Sequence, residues 1–320
     1  MKTGTKLWLI TAASLVLIGC ILFFGVMTSL RWDFSKLSTV EYETNSYEIT
    51  DPFHSISINT DTADILFVPS GDGSCRVTCY EEERAAHRVA VKDGTLSIEQ
   101  IDRRSFGDSI GIHSGSPKVT VYLPKTEYAL LSIRQDTGDI VMPNGFQFQS
   151  VDISLSTGGV DFRASASGSI RIQTTTGDIH VADLSAAALD LSVSTGKVTV
   201  TKVTCEGDLT VGVSTGKTYL TDVSCGNLIT SGSTGDLSLR RVTAARAFHI
   251  ERTTGDVEFD GCDAAEIFVT TDTGDVEGSL RSEKIFFITT GTGDIEVPKT
   301  TAGGRCEITT DTGDIEIDIP

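Results

Sequence analysis

The sequence predicts an all-β fold, a parallel β-solenoid (β-helix) built from coils of about 19–20 residues and preceded by one N-terminal transmembrane α-helix. Three observations predict it. An uncharged apolar segment lies near the start, a Thr-Gly pair recurs at a nearly constant interval, and apolar residues alternate with polar ones around each pair. Repeats this short cannot bury a core alone, so they must stack on one another.

The first element is a segment long enough to cross a membrane. Residues 7–30 contain no charged side chain, and about 20 apolar residues span a bilayer. Lys2 and Lys6 precede this segment and Arg31 and Lys36 follow it, so the count of basic residues on the two sides does not decide its orientation. The short basic start is typical of a signal anchor. It predicts a single-pass cell-membrane protein whose C-terminal domain is extracytoplasmic.

Residues 1–6 are accordingly expected to be a cytoplasmic tail, and residues 31–47 a polar linker that follows the transmembrane helix. One alternative stays open, because Leu17–Cys20 resembles the lipobox of bacterial lipoproteins, in which the cysteine is lipidated after cleavage. The sequence after a cleavage site becomes polar, whereas residues 21–27 remain apolar. We therefore favour an uncleaved helix.

A repeat fills residues 131–320, and its most regular mark is the Thr-Gly pair. Successive pairs lie 19 or 20 residues apart. The ten threonines, which number coils 1 to 10 in chain order, are Thr137, Thr157, Thr176, Thr195, Thr215, Thr234, Thr254, Thr273, Thr292 and Thr312. Apolar residues recur six and four positions before each threonine and three and five after it. In coil 1 they are Leu131, Ile133, Ile140 and Met142, and the exceptions in later coils are Thr218, Thr230 and Gly278.

This alternation has a period of two, so each half of a repeat is predicted to be a strand with one face turned inward. The glycine after each threonine permits a positive φ in the turn that joins the two halves. Coils stacked about 4.8 Å apart would form a rod of roughly 50 Å. The alternation excludes a helical repeat, and a propeller would need about 40 residues per blade.

Residues 48–130 are expected to hold a degenerate first repeat and a capping region. Ile56 and Ile58 occupy the apolar positions of a first strand, and Ala63 stands where later repeats have glycine. Residues 69–118 then leave the repeat register. Terminal repeats of solenoids are commonly irregular, because an open β-edge promotes aggregation. Capping is therefore favoured over the alternative, a recognition surface.

The order of these segments resembles the bacterial "putative adhesin" β-strand-repeat family, a domain of otherwise unknown function. The segments that carry the resemblance are residues 52–58, 64–65, 93–98, 121–125, 131–133 and 137–140. The resemblance spans about residues 48–320 and implies a cell-envelope location with an adhesin-like or scaffold role. Members of this family often have an N-terminal membrane helix. The family supplies no catalytic residue to carry over.

The composition narrows the classes of partner. The chain has 44 acidic and 26 basic residues and a net charge of −18. A surface this acidic repels the phosphate backbone of nucleic acids, so no nucleic-acid partner is expected. The expected partners are the membrane, through the single-pass anchor, and either a cell-wall polymer or a membrane protein.

The position after each Thr-Gly pair is the clearest candidate for a cation site. It is aspartate in seven repeats: Asp139, Asp178, Asp236, Asp256, Asp275, Asp294 and Asp314. In coils 6 to 10 the aspartates are consecutive and would stack about 5 Å apart along the rod, and Ca²⁺ prefers carboxylate oxygens. Lys197 and Lys217 interrupt the row, however. We favour the view that each carboxylate bonds backbone N–H groups in its turn.

Two matches to catalytic or phosphate-binding motifs are rejected. Ser214–Thr218 resembles the end of a phosphate-binding loop, and both Ser194–Lys197 and Ser214–Lys217 match the Ser-x-x-Lys pattern of penicillin-binding enzymes. The loop requires a glycine where the chain has Val211. Both motifs also require a following helix, whereas these segments belong to strand repeats.

The cysteines and histidines show no metal-site spacing. Cys75 and Cys79 have three residues between them and no second pair completes a zinc site. Cys262 and Cys306 fall in inward columns, and Cys205 and Cys225 share a column in successive coils, so a disulfide between the last two is possible. The histidines, which do not cluster and are expected at the surface, are His54, His87, His113, His180 and His249. No catalytic residue, metal ligand or cofactor is predicted.

Regular repetition without a visible site favours a non-enzymatic cell-envelope protein, an adhesin-like or scaffold module presented outside the membrane. A carbohydrate-active β-helix enzyme is the first alternative, but such enzymes need long loops to build a cleft, and the constant repeat spacing leaves only residues 69–118 for them. A membrane-bound accessory or sensor of an envelope-stress system is the second. That function would require a partner in the membrane, because the predicted cytoplasmic tail is too short to signal alone.

Overall fold

The computed structural model describes residues 3–33, 40–104 and 115–320. The first two residues of the predicted tail, including Lys2, the linker residues 34–39, including Lys36, and His113 lie outside the described residues. In the described part, one helix, α1 (Thr3–Ser29), precedes a continuous stack of strands.

Helix α1 is apolar on all sides. Its segment Trp8–Ser29 has a mean hydropathy of 2.6, is long and apolar enough to cross a membrane, and is not buried against the rest of the chain. An apolar surface of this extent is stable only in apolar surroundings. The helix therefore has the length and composition of a membrane anchor or a signal peptide, and it covers nearly all of the span that the sequence predicts.

Seven strands precede the regular repeats. They are β1 (Tyr42–Ile49), β2 (Ser55–Thr62), β3 (Asp64–Pro69), β4 (Cys75–Glu82), β5 (His87–Lys92), β6 (Thr95–Gln100) and β7 (Lys118–Leu123). A single 3₁₀ turn, Glu83–Ala85, joins β4 to β5.

The ten coils follow in chain order. Coils 1 to 5 comprise β8 (Glu127–Thr137), β9 (Ile140–Met142), β10 (Gln147–Thr157), β11 (Val160–Phe162), β12 (Ser165–Ala166), β13 (Ser169–Thr176), β14 (Ile179–Ala186), β15 (Ala188–Thr195), β16 (Val198–Cys205), β17 (Asp208–Thr215) and β18 (Thr218–Cys225). Coils 6 to 10 comprise β19 (Asn227–Thr234), β20 (Leu237–Thr254), β21 (Val257–Thr273), β22 (Val276–Leu280), β23 (Lys284–Thr292), β24 (Ile295–Glu296), β25 (Gly304–Thr312) and β26 (Ile315–Asp318).

Neighbouring coils pair in parallel and in register, so each repeat position forms a column along the rod. Ile153 in coil 2, for example, pairs with Ile133 in coil 1 and Ile172 in coil 3. The degenerate repeat joins the same stack, because β2 and β3 pair with β8 and β9. The predicted parallel β-solenoid is confirmed.

The predicted apolar columns form the core. In coil 1, Leu131, Ile133, Ile140 and Met142 are all fully buried. A further inward column, two residues before each threonine, was not predicted, and it includes the buried Val193. Full burial of an aliphatic side chain stabilises a fold by about 1.5–3 kcal/mol, so repetition over ten coils supplies the driving force that one coil lacks.

The Thr-Gly turns depend on glycine for two reasons. Gly216 has φ of +142°, which L side chains rarely adopt. A Cβ at this position would also overlap the carbonyl oxygen of Gly196 in the preceding coil. Each turn therefore packs its backbone directly on the turn of its neighbour.

A second bend, which the sequence did not reveal, lies seven residues after the threonine. Here Asp183, Lys202, Asp222 and Arg241 have φ of 55°, 54°, 56° and 50°, in the left-handed region that few non-glycine residues occupy. Arg241 Nε lies 2.6 Å from Asp222 Oδ1 in the neighbouring coil. The bend turns each coil into a short third side whose inward residues include Cys205.

The last two coils do not stack in chain order. Coils 1 to 8 follow one another, but β25 pairs with β21 of coil 8 on one edge and with β23 of coil 9 on the other. Coil 10 is thus inserted between coils 8 and 9, and Cys306 pairs with both Ile267 and Phe286. Because coils 9 and 10 share one residue pattern, the repeat alone does not decide which of them lies against coil 8.

Antiparallel strands continue both sheets at the opposite end. Strand β6 pairs in parallel with β2, and β5 pairs antiparallel with β6. In the other sheet, β7 pairs with β3, β4 pairs antiparallel with β7, and β1 pairs antiparallel with β4. In the described part of residues 69–118, the break in register therefore reflects the antiparallel strands β4 and β5, whereas β6 still pairs in parallel.

Candidate functional site

A shallow groove runs across the outer face of the first strands of the coils. Outward side chains lie one, three and five residues before each threonine, because strand side chains alternate between faces. In coils 4 to 6 the positions one and three before the threonine hold only serine and glycine. We call them the serine groove, and they are Ser192, Ser194, Gly212, Ser214, Ser231 and Ser233. The whole depression measures about 510 Å³.

The serine hydroxyls of this groove are available to a ligand. Within the described residues, none of the five has a hydrogen-bond partner in the protein. Each hydroxyl can donate one hydrogen bond and accept two, and equivalent positions recur about 4.8 Å apart along the rod. The groove therefore presents a regular double row of donors and acceptors to a ligand that lies along the rod axis.

Gly212 deepens the groove for a reason unrelated to backbone strain. A Cβ built on it would lie 3.7 Å from Ser231 Oγ and 3.9 Å from Ser192 Oγ, which are ordinary contact distances. A side chain is therefore sterically acceptable at this position and would fill the depression.

Two carboxylates stand at one end of the groove. Glu251 and Asp272 belong to coils 7 and 8 and line the depression together with Thr253 and Thr270. Both acidic side chains are exposed, and in the described part of the chain neither has a hydrogen bond to another residue.

A row of flat side chains adjoins the groove on the same face. The rings of His249 and Phe268 are stacked, with centroids 5.1 Å apart and an interplanar angle of 6°. The Arg305 guanidinium lies 5.9 Å from the centroid of the Phe268 ring and 4.9 Å from that of Phe287. Phe287 is 50% exposed. We call these four residues the aromatic row. Their flat faces cover one another, so the row presents mainly ring edges and the guanidinium beside the hydroxyls.

Beneath this face the rod buries an arginine. Arg252 occupies the inward column and is 3% exposed. Its Nη2 donates to Thr218 Oγ1 at 3.4 Å, while its Nε and Nη1 have no partner in the described residues. Burial lowers the pKa of this guanidinium to about 10, against the opposing effect of Asp236. Gly232 makes room for the guanidinium, since a Cβ there would overlap Nη1.

Sequence reasoning missed Arg252, although the repeat contained a signal for it. Thr218 and Thr230 are the two hydroxyl residues that interrupt the apolar columns. Both are buried, Thr218 bonds the arginine, and the Thr230 hydroxyl has no partner among the described residues. Polar interruptions in adjacent coils thus marked a polar patch inside the rod.

The aspartates after the Thr-Gly pairs bond backbone N–H groups of the neighbouring coil. Asp275 Oδ1 accepts from the N–H of Asp314 at 2.8 Å, and Asp314 Oδ1 accepts from the N–H of Asp294 at 2.7 Å. The same bond joins Asp256 to the N–H of Asp275 at 3.0 Å. The partners are backbone N–H groups, as the sequence favoured, but they belong to the neighbouring coil and not to the aspartate's own turn. Because coil 10 is inserted, the order along the rod is 275, 314, 294 and not the chain order.

The lysines that interrupt this row form ion pairs with neighbouring aspartates. Lys217 Nζ lies 2.9 Å from Asp236 Oδ2, and Lys197 Nζ lies 3.5 Å from Asp178 Oδ2. The hydrogen bond from Lys217 lowers the pKa of Asp236, and the same bond raises the pKa of Lys217. Both lysines follow a strand and precede another strand, so no helix N-terminus is presented to a phosphate at these positions.

The inward cysteines are free thiols. Cys205 and Cys225 lie in adjacent coils on the third side, but the disulfide that the sequence allowed is not formed. Cys262 and Cys306 are fully buried in the apolar columns, as expected. Burial raises the pKa of the Cys225 and Cys306 thiols to about 12, so these side chains remain protonated and pack as small apolar groups.

The antiparallel strands at the other end enclose a hydrogen-bond network. Glu81 Oε2 accepts from the backbone N–H of His87 and lies 2.6 Å from its Nδ1, and Glu81 Oε1 accepts from Asn45 at 2.8 Å. His87 Nε2 lies 2.9 Å from Thr60 Oγ1, which donates to Gln100 Oε1. Burial alone would raise the pKa of Glu81, but the hydrogen bonds from His87 and Asn45 outweigh it and lower the pKa.

This network corrects one expectation from the sequence. His87 is 3% exposed and is not a surface residue. The network brings side-chain atoms of Cys79, Glu81 and His87, three residue types that ligate metals, within 4.8 Å of one another. It also places the Glu81 carboxylate, the His87 ring and the Thr60 hydroxyl in line. Because Thr60 and Glu81 are also buried, we interpret the network as the junction of the terminal strands.

The remaining described histidines lie nearer the surface. His180 Nδ1 lies 3.5 Å from Asp161 Oδ1, and the side chains of both residues are more than one third exposed. His54 Nδ1 lies 3.0 Å from Ser55 Oγ. His249 belongs to the aromatic row.

Comparison with known proteins places the rod in a family. The model of the family described as Toastrack DUF4097 matches residues 53–214 and 205–320. The chain belongs to the Toastrack DUF4097 family. No curated protein matches it.

Solved structures resemble this chain at low sequence identity. A protein described as a putative lipid binding protein, from Parabacteroides distasonis ATCC 8503, is 13% identical, with 86% of this chain and 97% of that chain covered and a TM-score of 0.50. A putative adhesin from Bacteroides fragilis NCTC 9343 is 16% identical, with 87% and 97% covered and a TM-score of 0.44. At 13% identity the likeness to the first of these structures shows the fold alone.

The Toastrack match confirms the resemblance drawn from the sequence to a β-repeat family of unknown function. The names of these neighbours are those of a putative adhesin and a putative lipid binding protein. They are said of those two proteins and do not specify what this chain binds.

Proposed function

We propose that this chain is a non-enzymatic, single-pass membrane protein whose rod lies outside the cytoplasm and binds a hydroxyl-rich polymer of the cell envelope. The polymer lies along the serine groove and packs its sugar rings against the outward edges of the aromatic row. The observation that carries the proposal is the double row of unpaired serine hydroxyls beside stacked, exposed rings on one face.

The geometry favours an extended ligand over a small one. The groove is open and crosses five coils, from Ser192 in coil 4 to Asp272 in coil 8. Small-molecule sites are concave and cover most of the ligand surface, which an open groove does not do. A polymer gains affinity from many weak contacts along its length, and a repeating protein surface supplies such contacts at a constant interval.

The pair of carboxylates gives the enzyme alternative its one supporting observation. Glycoside hydrolases use two carboxyl groups, of which one is kept protonated by its surroundings to act as the acid. Glu251 and Asp272 are both exposed on an open face of the rod, so neither lies in the enclosed cleft in which such a pair of carboxyl groups flanks a scissile bond. This favours binding without cleavage, and reducing-end release from a bound polysaccharide would contradict it.

The test is co-sedimentation of the full chain, in detergent, with purified cell walls. We expect saturable retention, and the variant Gly212→Phe should weaken it at least tenfold because the new ring fills the groove. Thr199→Phe places the same ring on the outer face of the second strand of coil 4 and serves as the matched control, with retention unchanged.

The same assay with a chelator distinguishes binding in the serine groove from binding through cations on the aspartates that follow the Thr-Gly pairs. Retention that survives chelator and is lost in Gly212→Phe supports the groove. Retention that chelator abolishes would assign binding to cations on the aspartates instead. No retention in either condition would overturn polymer binding and direct the search to a membrane-protein partner.

A further inference from the structure

The end of the rod formed by coil 9 is an open β-edge. Strand β23 pairs with β25 on one side, and no other described strand pairs with it. Strand β24 likewise pairs only with β26 in the described part. Residues that are core elsewhere are uncovered here, since Ile295 is 49% exposed, and Phe286 and Ile288 are only half-buried. On the outer side of the same strand Ile285 is 39% exposed.

The two ends of the rod differ in charge. The outermost strands at the other end carry charged side chains, which are Glu43 and Glu48 in β1 and Arg88 and Lys92 in β5. Charges of this kind protect an edge against pairing with another chain. From Ile285 to Gly293, by contrast, the coil 9 edge has no charged residue. The uncharged stretch of β23 is therefore a template for strand addition, whereas β24 of the same coil carries the exposed Glu296.

The best-fitting occupant of this edge is the same edge of a second copy. In every other coil the edge strands pair with a coil of the same residue pattern. The exposed apolar columns of coil 9 therefore fit another coil of this repeat. Head-to-tail growth would need the opposite end of the rod, which antiparallel charged strands occupy. Only the coil 9 edge remains, and an interface between identical surfaces is two-fold and closes at two copies.

We propose that two copies join tip to tip by antiparallel pairing of β23 with β23 of the second copy about Ile288. In that register Thr289 of each copy faces Phe287 of the other, and Ile285 faces Gly291. Residues 34–39 connect the helix to the charged end of the rod. Asp33 and Val40 are seven residues apart and thus within about 25 Å of one another, so the apolar edge lies at the end remote from the anchor.

Tip-to-tip pairing sets the two rods antiparallel, which copies projecting from one membrane do not allow. The pairing therefore joins copies anchored in two facing membranes, and the protein mediates homotypic membrane adhesion. This inference rests on the membrane anchoring in the proposed function and not on polymer binding.

The experiment is vesicle tethering with the full chain reconstituted in liposomes that contain no wall polymer. Two populations, labelled with donor and acceptor lipids, are mixed and clustering is followed by light scattering and energy transfer. Many copies per vesicle detect a pairing that is weak for a single dimer. We expect the wild-type chain to cluster vesicles and the double variant Ile285→Lys with Thr289→Lys to reduce clustering at least tenfold, because Lys blocks an edge.

The matched control is Leu130→Lys with Val141→Lys, two residues of coil 1 that are 39% and 38% exposed. It should cluster like the wild type, as should Gly212→Phe. Equal clustering by the edge variant, or no clustering by the wild type, would overturn the proposal. The edge variant should still co-sediment with cell walls. Failure of tip-to-tip pairing can then be distinguished from failure of polymer binding.

Discussion

A single buried arginine occupies an inward column whose residues differ in polarity from coil to coil. In coils 4 and 5 the position two before the threonine holds Val193 and Val213, whereas coil 7 has Arg252. The charged side chain is buried with two of its nitrogens unpaired in the described residues. A buried charge without full hydrogen bonding costs more than it gains.

Replacing Arg252 by methionine is therefore expected to stabilise the rod, by roughly 1–3 kcal/mol. Methionine has a similar length and adapts to irregular space. Chemical denaturation would measure the change in free energy of unfolding. The control is Arg240→Met, whose exposed ion pair with Asp260 should contribute about 1 kcal/mol or less. A loss of stability in Arg252→Met would mean that the arginine has a partner that this structure lacks.

At the scale of the element, the composition of α1 favours an uncleaved membrane anchor over a lipoprotein signal. Its apolar stretch continues past Cys20 to Val26 without a polar residue, and a lipoprotein signal would turn polar after the cysteine. The helix has the length to remain in the bilayer.

We expect the protein extracted from membranes to keep its first residues. Intact-mass analysis should match the full chain without an added lipid, and Cys20→Ser should leave membrane retention unchanged because the thiol has no role in an uncleaved anchor. A chain that begins at Cys20 and carries a diacylglycerol mass would identify a lipoprotein instead. Leu17→Ala is the companion control, since it alters the lipobox and leaves the helix apolar.

For the whole molecule, the acidic surface links stability to pH. Hydrogen bonds lower the pKa of several carboxyl groups, namely Asp102 beside Arg104, Asp222 beside Arg241 and Asp236 beside Lys217. The pKa of the buried Glu81 is also lowered. Groups with a lowered folded-state pKa stabilise the fold fully above their unfolded pKa values of 3.8–4.5, and this contribution is lost as the pH falls through the lower folded values.

The melting temperature is therefore expected to fall by roughly 5 °C or more between pH 5 and pH 3. Circular dichroism at a series of pH values would measure it. In Glu81→Gln the melting temperature at pH 7 should be lower and the acid-dependent loss smaller, because one of the titrating groups is gone. A melting temperature that rises steadily down to pH 3 would show that relief of the net charge of −18 outweighs the ion pairs.

Much of the fold could be predicted because its causes are local and periodic. The span of α1 follows from the absence of charge in residues 7–30, and the coil follows from the Thr-Gly interval and the alternation around it. The turn at Gly216 could be predicted as well, since a positive φ is a property of the residue itself. The bend at Lys202 could not, because its left-handed conformation is imposed on a residue without that preference.

The candidate site was less accessible to the sequence. The serines of coils 4 to 6 were visible as polar outward positions, but a groove exists only because short side chains from three coils lie side by side. The stack of His249 on Phe268 and the contact of Arg305 with Phe287 join residues from different coils. Such contacts between coils leave no recognisable spacing within the sequence of a single repeat.

By itself the sequence determined an apolar helix followed by a parallel β-solenoid with defined inward columns, because hydrophobic periodicity and turn chemistry act within one repeat. Only the tertiary structure decided that coil 10 lies between coils 8 and 9, that His87 is buried against Glu81, and that Arg252 lies inside the rod. Each of these depends on which strand lies next to which. In a chain whose repeats share one pattern, many neighbours satisfy the same columns, and the packing of the whole molecule selects among them.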